Sequence, residues 1–172
     1  MERFATERLI AERLREQHLA DLVALHLDPD VSRFLGGVRT PEATTAYLAT
    51  AMAHWDRHGF GIWALRTRDG AFAGRAGIRN AVVEGAAEFE ILFTLKRELW
   101  GRGLASEIAA ALTTMARSQL QLPSLVGLVV AGNDASRRVL EKCGFTRERT
   151  MLSGGEEVAV YRSRPDWRDG AS

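Results

Sequence analysis

Leu99-Trp100-Gly101-Arg102-Gly103-Leu104-Ala105-Ser106-Glu107 places two glycines between a run of β-formers and an apolar helical repeat. Upstream, Phe89-Glu90-Ile91-Leu92-Phe93-Thr94-Leu95 reads as a buried strand, because aromatic and β-branched side chains suit a pleated surface. Downstream, Ala105, Ile108, Leu112 and Met115 recur at helical spacing, so the sequence predicts a helix that begins at or just after Gly103. The first turn of a helix carries amides without internal partners, and the macrodipole adds partial positive charge at that end. Glycine at positions 101 and 103 lets the backbone approach an anion with no Cβ in the way, and Arg102 between them adds a charged donor. A pyrophosphate fits this cradle.

Two common phosphate loops are excluded. A Walker loop needs Lys-Ser or Lys-Thr after its last glycine, whereas Gly103 is followed by Leu104-Ala105. A dinucleotide fingerprint needs a third small residue in frame and an acid about 20 positions on; Ser106 stands at the third position, and the region around Gln121 offers no acid.

The frame Trp100-Gly101-Arg102-Gly103-Leu104-Ala105 resembles the acetyl-coenzyme A loop of the GNAT superfamily of N-acetyltransferases, which runs Gln or Arg, two residues, Gly, one residue, then Gly or Ala. Trp100 replaces the leading Gln or Arg, a departure similar to the subgroup of ribosomal-protein N-terminal (alanine/serine) acetyltransferases. Further likeness comes from Glu90-Ile91-Leu92-Phe93-Thr94-Leu95, which resembles the family's central strand with Leu92 where Gly is common. Asn133 through Phe145, with Asn133, Ser136 and the terminal Gly144-Phe145, is similar to the second coenzyme-side segment, and Thr6-Glu7-Arg8-Leu9 to the subgroup's opening. The resemblance spans nearly the whole chain. It implies an α+β fold with a mixed central sheet flanked by helices, in which two central strands, here those ending near Leu95 and Ala131, splay to form a coenzyme wedge.

The composition is consistent with one acetyltransferase domain over residues 1–172. A chain of 172 residues buries about 70% of its unfolded surface as one domain. Lys plus Arg number 23 and Asp plus Glu 22, so the charge balance gives no reason to expect a nucleic-acid or membrane partner. No apolar run approaches the ~20 residues of a membrane span, and Met1-Glu2-Arg3-Phe4 lacks a signal peptide's apolar segment, so a cytoplasmic location is expected. A monomer or a homodimer is expected. His18, His26, His54 and His58 do not group with cysteines or carboxylates at metal-ligand spacing, and no metal is expected. Cys143 is either a packed apolar residue or a nucleophile; no histidine near it in sequence supports the second role.

Along the chain, the sequence predicts a strand over Leu9 to Leu14, a helix over Gln17 to Leu27, and a short helix near Asp30. A long helix follows, opened by Thr40-Pro41 and closed at Gly59. Strands are predicted over Ile62 to Arg66 and Phe72 to Ile78, joined at Asp69-Gly70, then over Ala87 to Leu95. Beyond the glycine loop come a strand over Leu125 to Ala131, a helix over Ala135 to Cys143, and a hairpin of Phe145 to Met151 with Val158 to Arg162. Arg164-Pro165-Asp166-Trp167 resembles the subgroup's tail, with fraying expected over 168–172.

The resemblance implies acetyl-coenzyme A as cosubstrate, held by Phe93, Thr94 and Leu95, by Gly101, Arg102, Gly103, Leu104, Ala105 and Ser106, and by Asn133 and Ser136. Glu90 matches the subgroup's strand glutamate and is the candidate base, or else it pairs with an arginine; Glu88 lies two residues earlier on the same face. Leu140 stands where relatives carry a tyrosine acid, so that acid is excluded and Ser136 is the catalytic candidate on the sulfur side, or simply a helix N-terminal residue. Asn133 either contacts coenzyme or caps the following helix. Phe34, Trp55 and Trp63 are candidates for the acceptor side, or core aromatics. The acceptor expected is a protein N-terminus or a small-molecule amine. The other reading is a non-catalytic acetyl-coenzyme A or coenzyme A binding or sensing module of the same fold.

Overall fold

Short apolar runs separated by glycine turns build a sheet, and a computed structural model describing residues 1–164 shows eight strands in the order β1-β2-β3-β4-β5-β6-β8-β7. They are β1 Arg3–Ala5, β2 Leu9–Arg13, β3 Ile62–Thr67, β4 Phe72–Val83, β5 Ala86–Leu95, β6 Val126–Val130, β7 Thr146–Ser153 and β8 Glu156–Arg162. The helices are α1 Leu19–Leu27, α2 Pro29–Ser32, α3 Pro41–His58, α4 Leu104–Ser118 and α5 Asp134–Lys142. Pairing is antiparallel for β1/β2, β2/β3, β3/β4, β6/β8 and β7/β8 and parallel for β5/β6, so the sheet is mixed. The subgroup-like tail, from residue 165 on, lies outside the described residues.

Contacts gather into two units. The first comprises Met1–Gly77 and Phe93–Ala105. Its core is built from Leu9, Leu14, Leu22, Trp63 and Leu65, none with measurable exposure. α3 forms where the sequence places it: Thr40 Oγ1 accepts from the Ala43 amide at 3.1 Å, Pro41 takes the first turn, and the Gly59 amide closes the helix on Trp55 O at 2.9 Å.

The second unit holds, among the described residues, 78–92 and 106–164. Here Val83, Val126 and Val160 pack together with Ala81, Leu128 and Met151 against them, while Ile108, Leu112 and Leu125 are wholly buried. β4 extends to Val83, beyond the expected end at Ile78, and a tight turn at Glu84-Gly85 leads into β5. The buried run over residues 73–78 ends at the exposed Arg79-Asn80, which the sequence pattern reads as a strand end. β1 also lies outside the expected elements; it is three residues long and pairs with β2 from Arg3↔Glu12 to Ala5↔Ile10.

Candidate active site

The glycine loop takes the form its sequence requires. Gly101 and Gly103 have φ of 72° and 76°, left-handed values that a side chain resists, and a Cβ on Gly101 would meet nothing within 4 Å. α4 begins at Leu104, directly after the second glycine. Among the described residues no backbone hydrogen bond outside the regular elements uses an amide of Gly101 to Ala105 as donor. Amides at a helix start without backbone acceptors suit a pyrophosphate. Trp100 ties the loop to the end of β5, its indole N–H donating to Leu95 O at 3.0 Å.

Arg8, whose sequence context gave only a family likeness, is part of this cradle. Its Nη1 donates to Arg102 O at 2.7 Å, and its Nη2 lies 3.5 Å from where a Cβ on Gly103 would sit. Arg8 and Arg102 thus bring two cations to the loop. A separation of 94 residues hides that partnership from any local pattern.

Beside it, Phe93 to Leu95 end β5, and Gly74 on β4 approaches so closely that a Cβ there would stand 2.1 Å from Thr94 O. In the second unit, β5 pairs with β6 in parallel at Glu90↔Val126.

Glu90 is buried, with 7% exposure, and its Oε2 accepts from Arg79 Nε and Nη2, both at 2.8 Å. The arginine pairing that the sequence left as one alternative is therefore present. Glu88 is more fully engaged: Arg162 donates to both of its oxygens, at 3.0 and 2.6 Å. Arg162 also reaches Glu148, and the two carboxylates raise the guanidinium's affinity for its proton while Arg162 holds Glu148 below the usual carboxylate range. Glu88 has both oxygens committed, which leaves Glu90 as the better placed candidate base of the two.

In the second unit, Asn133 caps α5, its Oδ1 accepting from the Ser136 amide at 3.2 Å. Asn133 also lines a cavity of about 170 Å³ with Gly132, Arg137 and Tyr161. Leu140 is buried and packs against Gly127, where a Cβ would come within 2.5 Å of its Cδ1. Cys143 is half-buried, its thiol pushed up by burial and directed at Ser106 O at 3.9 Å. That placement suits a packed residue, not a nucleophile.

The aromatic candidates divide. Trp55 and Trp63 are 2% and 0% exposed, stack edge to face at 4.8 Å, and Trp55 Nε1 donates to Ile62 O at 2.7 Å. Rings so enclosed have no surface for an acceptor, and the expectation that they line its site is corrected to core packing. Phe34 is half-buried under the Arg33 guanidinium, 5.2 Å from the ring centre, and remains available.

The His54 and His58 rings lie 4.5 Å apart at a tilt of 42°, and burial with the neighbouring His54 and Arg57 charges lowers the His58 pKa. Among the described residues no group of His, Cys, Asp and Glu is arranged to hold a metal ion. Because a thioester is already activated, acetyl transfer is expected to proceed at an unchanged rate in the presence of a chelator. A rate abolished by chelation and restored by one particular metal would contradict this.

Comparison with known proteins agrees with the geometry. Residues 8–146 match the family model described as the acetyltransferase (GNAT) domain. The chain belongs to this family and is an acetyltransferase of the kind that uses acetyl-coenzyme A. YkkB, an uncharacterised protein of Bacillus subtilis, is 28% identical over 167 residues, covering 93% of this chain and 97% of that protein. The crystal structure of an acetyltransferase from Agrobacterium tumefaciens superposes with a TM-score of 0.83 at 28% identity, covering 95% of each chain. RimL, a ribosomal alpha-N-protein acetyltransferase solved with coenzyme A, superposes with a TM-score of 0.78 at 21% identity over 96% of this chain and 99% of that one. Among the described residues no helix is long and apolar enough to cross a membrane.

Proposed function

We propose that this protein moves the acetyl group of acetyl-coenzyme A to a primary amine by direct attack. The observation that carries the reading is the cradle at Gly101 to Ala105: two left-handed glycines, amides without backbone acceptors, and the Arg8 and Arg102 cations beside them. Bound acetyl-coenzyme A supplies an activated acyl carbon and a thiolate leaving group, whose thiol pKa near ~8.5 makes a strong general acid unnecessary. The pyrophosphate rests on the amides of Gly101, Arg102, Gly103, Leu104, Ala105 and Ser106, and backbone amides of Phe93 to Leu95 bond the thioester oxygen as charge develops on it.

The neutral amine attacks the acyl carbon, the C–N bond forms as the C–S bond breaks, and the amine's proton passes through water to the Glu90 carboxylate. Arg79 positions that carboxylate and Ser136 bonds the coenzyme near its sulfur. An α-amine, with a pKa of ~8, makes a milder demand on such a base than a lysine at ~10.4. The acceptor is a protein N-terminus, as acted on by RimL, or a small amine; Phe34 contributes to its side.

The Arg79–Glu90 pair also suits a second reading, a binding or sensing module in which the carboxylate is structural. Titration calorimetry with acetyl-coenzyme A and with pantetheine tests the cradle itself. Acetyl-coenzyme A is expected to bind about 100-fold more tightly, since only it carries phosphates; equal affinities would overturn the assignment.

A further inference from the structure

The second unit holds a cavity of about 510 Å³ that no step of the proposed reaction uses. One wall is a face of α4, where Ala110, Thr114 and Arg117 recur at the spacing that brings side chains to one side of a helix. Lys142 and Gly144 at the end of α5 and Arg164 after β8 complete it. This size falls within the roughly 300–1,000 Å³ of small-molecule sites.

The charge of the cavity is one-sided. Arg117, Lys142 and Arg164 all line it, no carboxylate lines it among the described residues, and none of the three cations has an ion pair or hydrogen bond among those residues. Glu141, the acid nearest to Lys142 in sequence, is taken by Arg137, whose Nη1 donates to both of its oxygens at 3.1 and 3.0 Å. Arg117 and Lys142 lie in the last turn of their helices, where a cation is favoured. That preference accounts for each singly and gives no reason for Arg164, which ends no helix, to join them. The chain that carries Arg164 is anchored: the Ser163 amide donates to Leu125 O at 2.9 Å, and Ser163 Oγ accepts from the Leu125 amide at 2.9 Å. Gly144, at a φ of 84°, leaves the guanidinium room, since a Cβ there would lie 3.8 Å from Arg164 Nε. Three like charges around one cavity repel one another, and a bound anion relieves that repulsion.

We propose that this cavity binds a phosphate monoester carried on a small ring-bearing molecule, of the class of nucleoside monophosphates, as a ligand separate from the coenzyme. Such a phosphate carries close to two negative charges at neutral pH and three acceptor oxygens, which matches three cations; a carboxylate brings one charge. The two guanidinium forks suit pairs of phosphate oxygens, Lys142 adds a point charge, and the Thr114 hydroxyl is a further donor in the same lining. Ala110 and Gly144 contribute little or no side chain, which leaves room for a ring beside the phosphate.

Calorimetry in the presence of saturating coenzyme A tests the site, with each common ribonucleoside 5′-monophosphate set against its nucleoside and against inorganic phosphate. At least one monophosphate is expected to bind about tenfold or more tightly than its nucleoside. Arg117→Gln and Lys142→Gln should each weaken that binding about tenfold, and Ala110→Trp, a change at an exposed helical position, should fill the cavity and abolish it. Thermal midpoints and coenzyme A affinity should stay near those of the wild type in all three variants, which keeps this result apart from that of the cradle. No monophosphate binding by the wild type, or binding that survives both charge substitutions, would overturn the site. Binding that appears only when coenzyme A is left out would overturn a separate ligand. Should coenzyme A itself fail to bind, the cradle reading fails, and the same variants titrated with the monophosphate alone decide the cavity.

Discussion

Gly103→Val is expected to weaken acetyl-coenzyme A binding by several kcal/mol, roughly a hundredfold or more in affinity. Two effects add. The branched side chain enters the space that the phosphates need, and the position's φ of 76° is one that L residues resist, at about 1–2 kcal/mol. The Cβ would also lie 3.5 Å from Arg8 Nη2, so further atoms of valine disturb the cation as well. A thermal midpoint lowered by only a few degrees, with affinity lost in calorimetry, is the expected pattern. Retained affinity would show that the phosphates bind elsewhere.

Glu90→Gln should lower turnover by about 10²-fold while leaving coenzyme affinity intact, because the cradle lies on another segment. The deficit should shrink as pH rises toward the acceptor's own pKa, where more amine arrives already neutral. Ser136→Ala should cost less, given the good leaving group. The pairing with Arg79 sharpens the test. If the carboxylate serves only to neutralise that arginine, Glu90→Gln will lower the thermal midpoint and leave turnover at neutral pH near normal, and the defect will not depend on pH.

His26 supplies a stability signature independent of catalysis. Its pKa is about 3 in the fold against an ordinary 6.5, so between these values the unfolded chain binds the extra proton. Stability therefore falls as pH drops from 6.5 toward 3, by up to about 1.4 kcal/mol per pH unit. Denaturant titrations across that range should show a shallower slope for His26→Gln than for the wild type; parallel slopes would mean that His26 is protonated in the fold.

Local chemistry made much of the fold legible. Thr40-Pro41 and Gly59 bracket α3 because capping depends on neighbours in sequence, and the glycine loop could be read because left-handed turns need particular residues. The features that escaped are partnerships across distance. Arg8 meets Arg102 through the fold, and Arg75 sits in an apolar run where a charge reads as an interruption. Trp63 could not be assigned to core or acceptor from spacing alone, because both roles ask for the same ring; Phe4 at 5.4 Å and Trp55 at 4.8 Å decide it. Glu90 was recognisable as a strand carboxylate, but its contact with Arg79 lies across the turn between β4 and β5. That contact became predictable only once β4 was known to run on to Val83.

The central claim is acetyl transfer to an amine. Its most direct test is thiol release from acetyl-coenzyme A by the purified protein, measured with a panel of small amines and peptide N-termini and paired with mass analysis of the amine. Release that depends on the amine, matched by one acetyl group gained on its nitrogen, is the predicted result. Tight coenzyme binding with no release for any amine in the panel would contradict the account and favour a binding module.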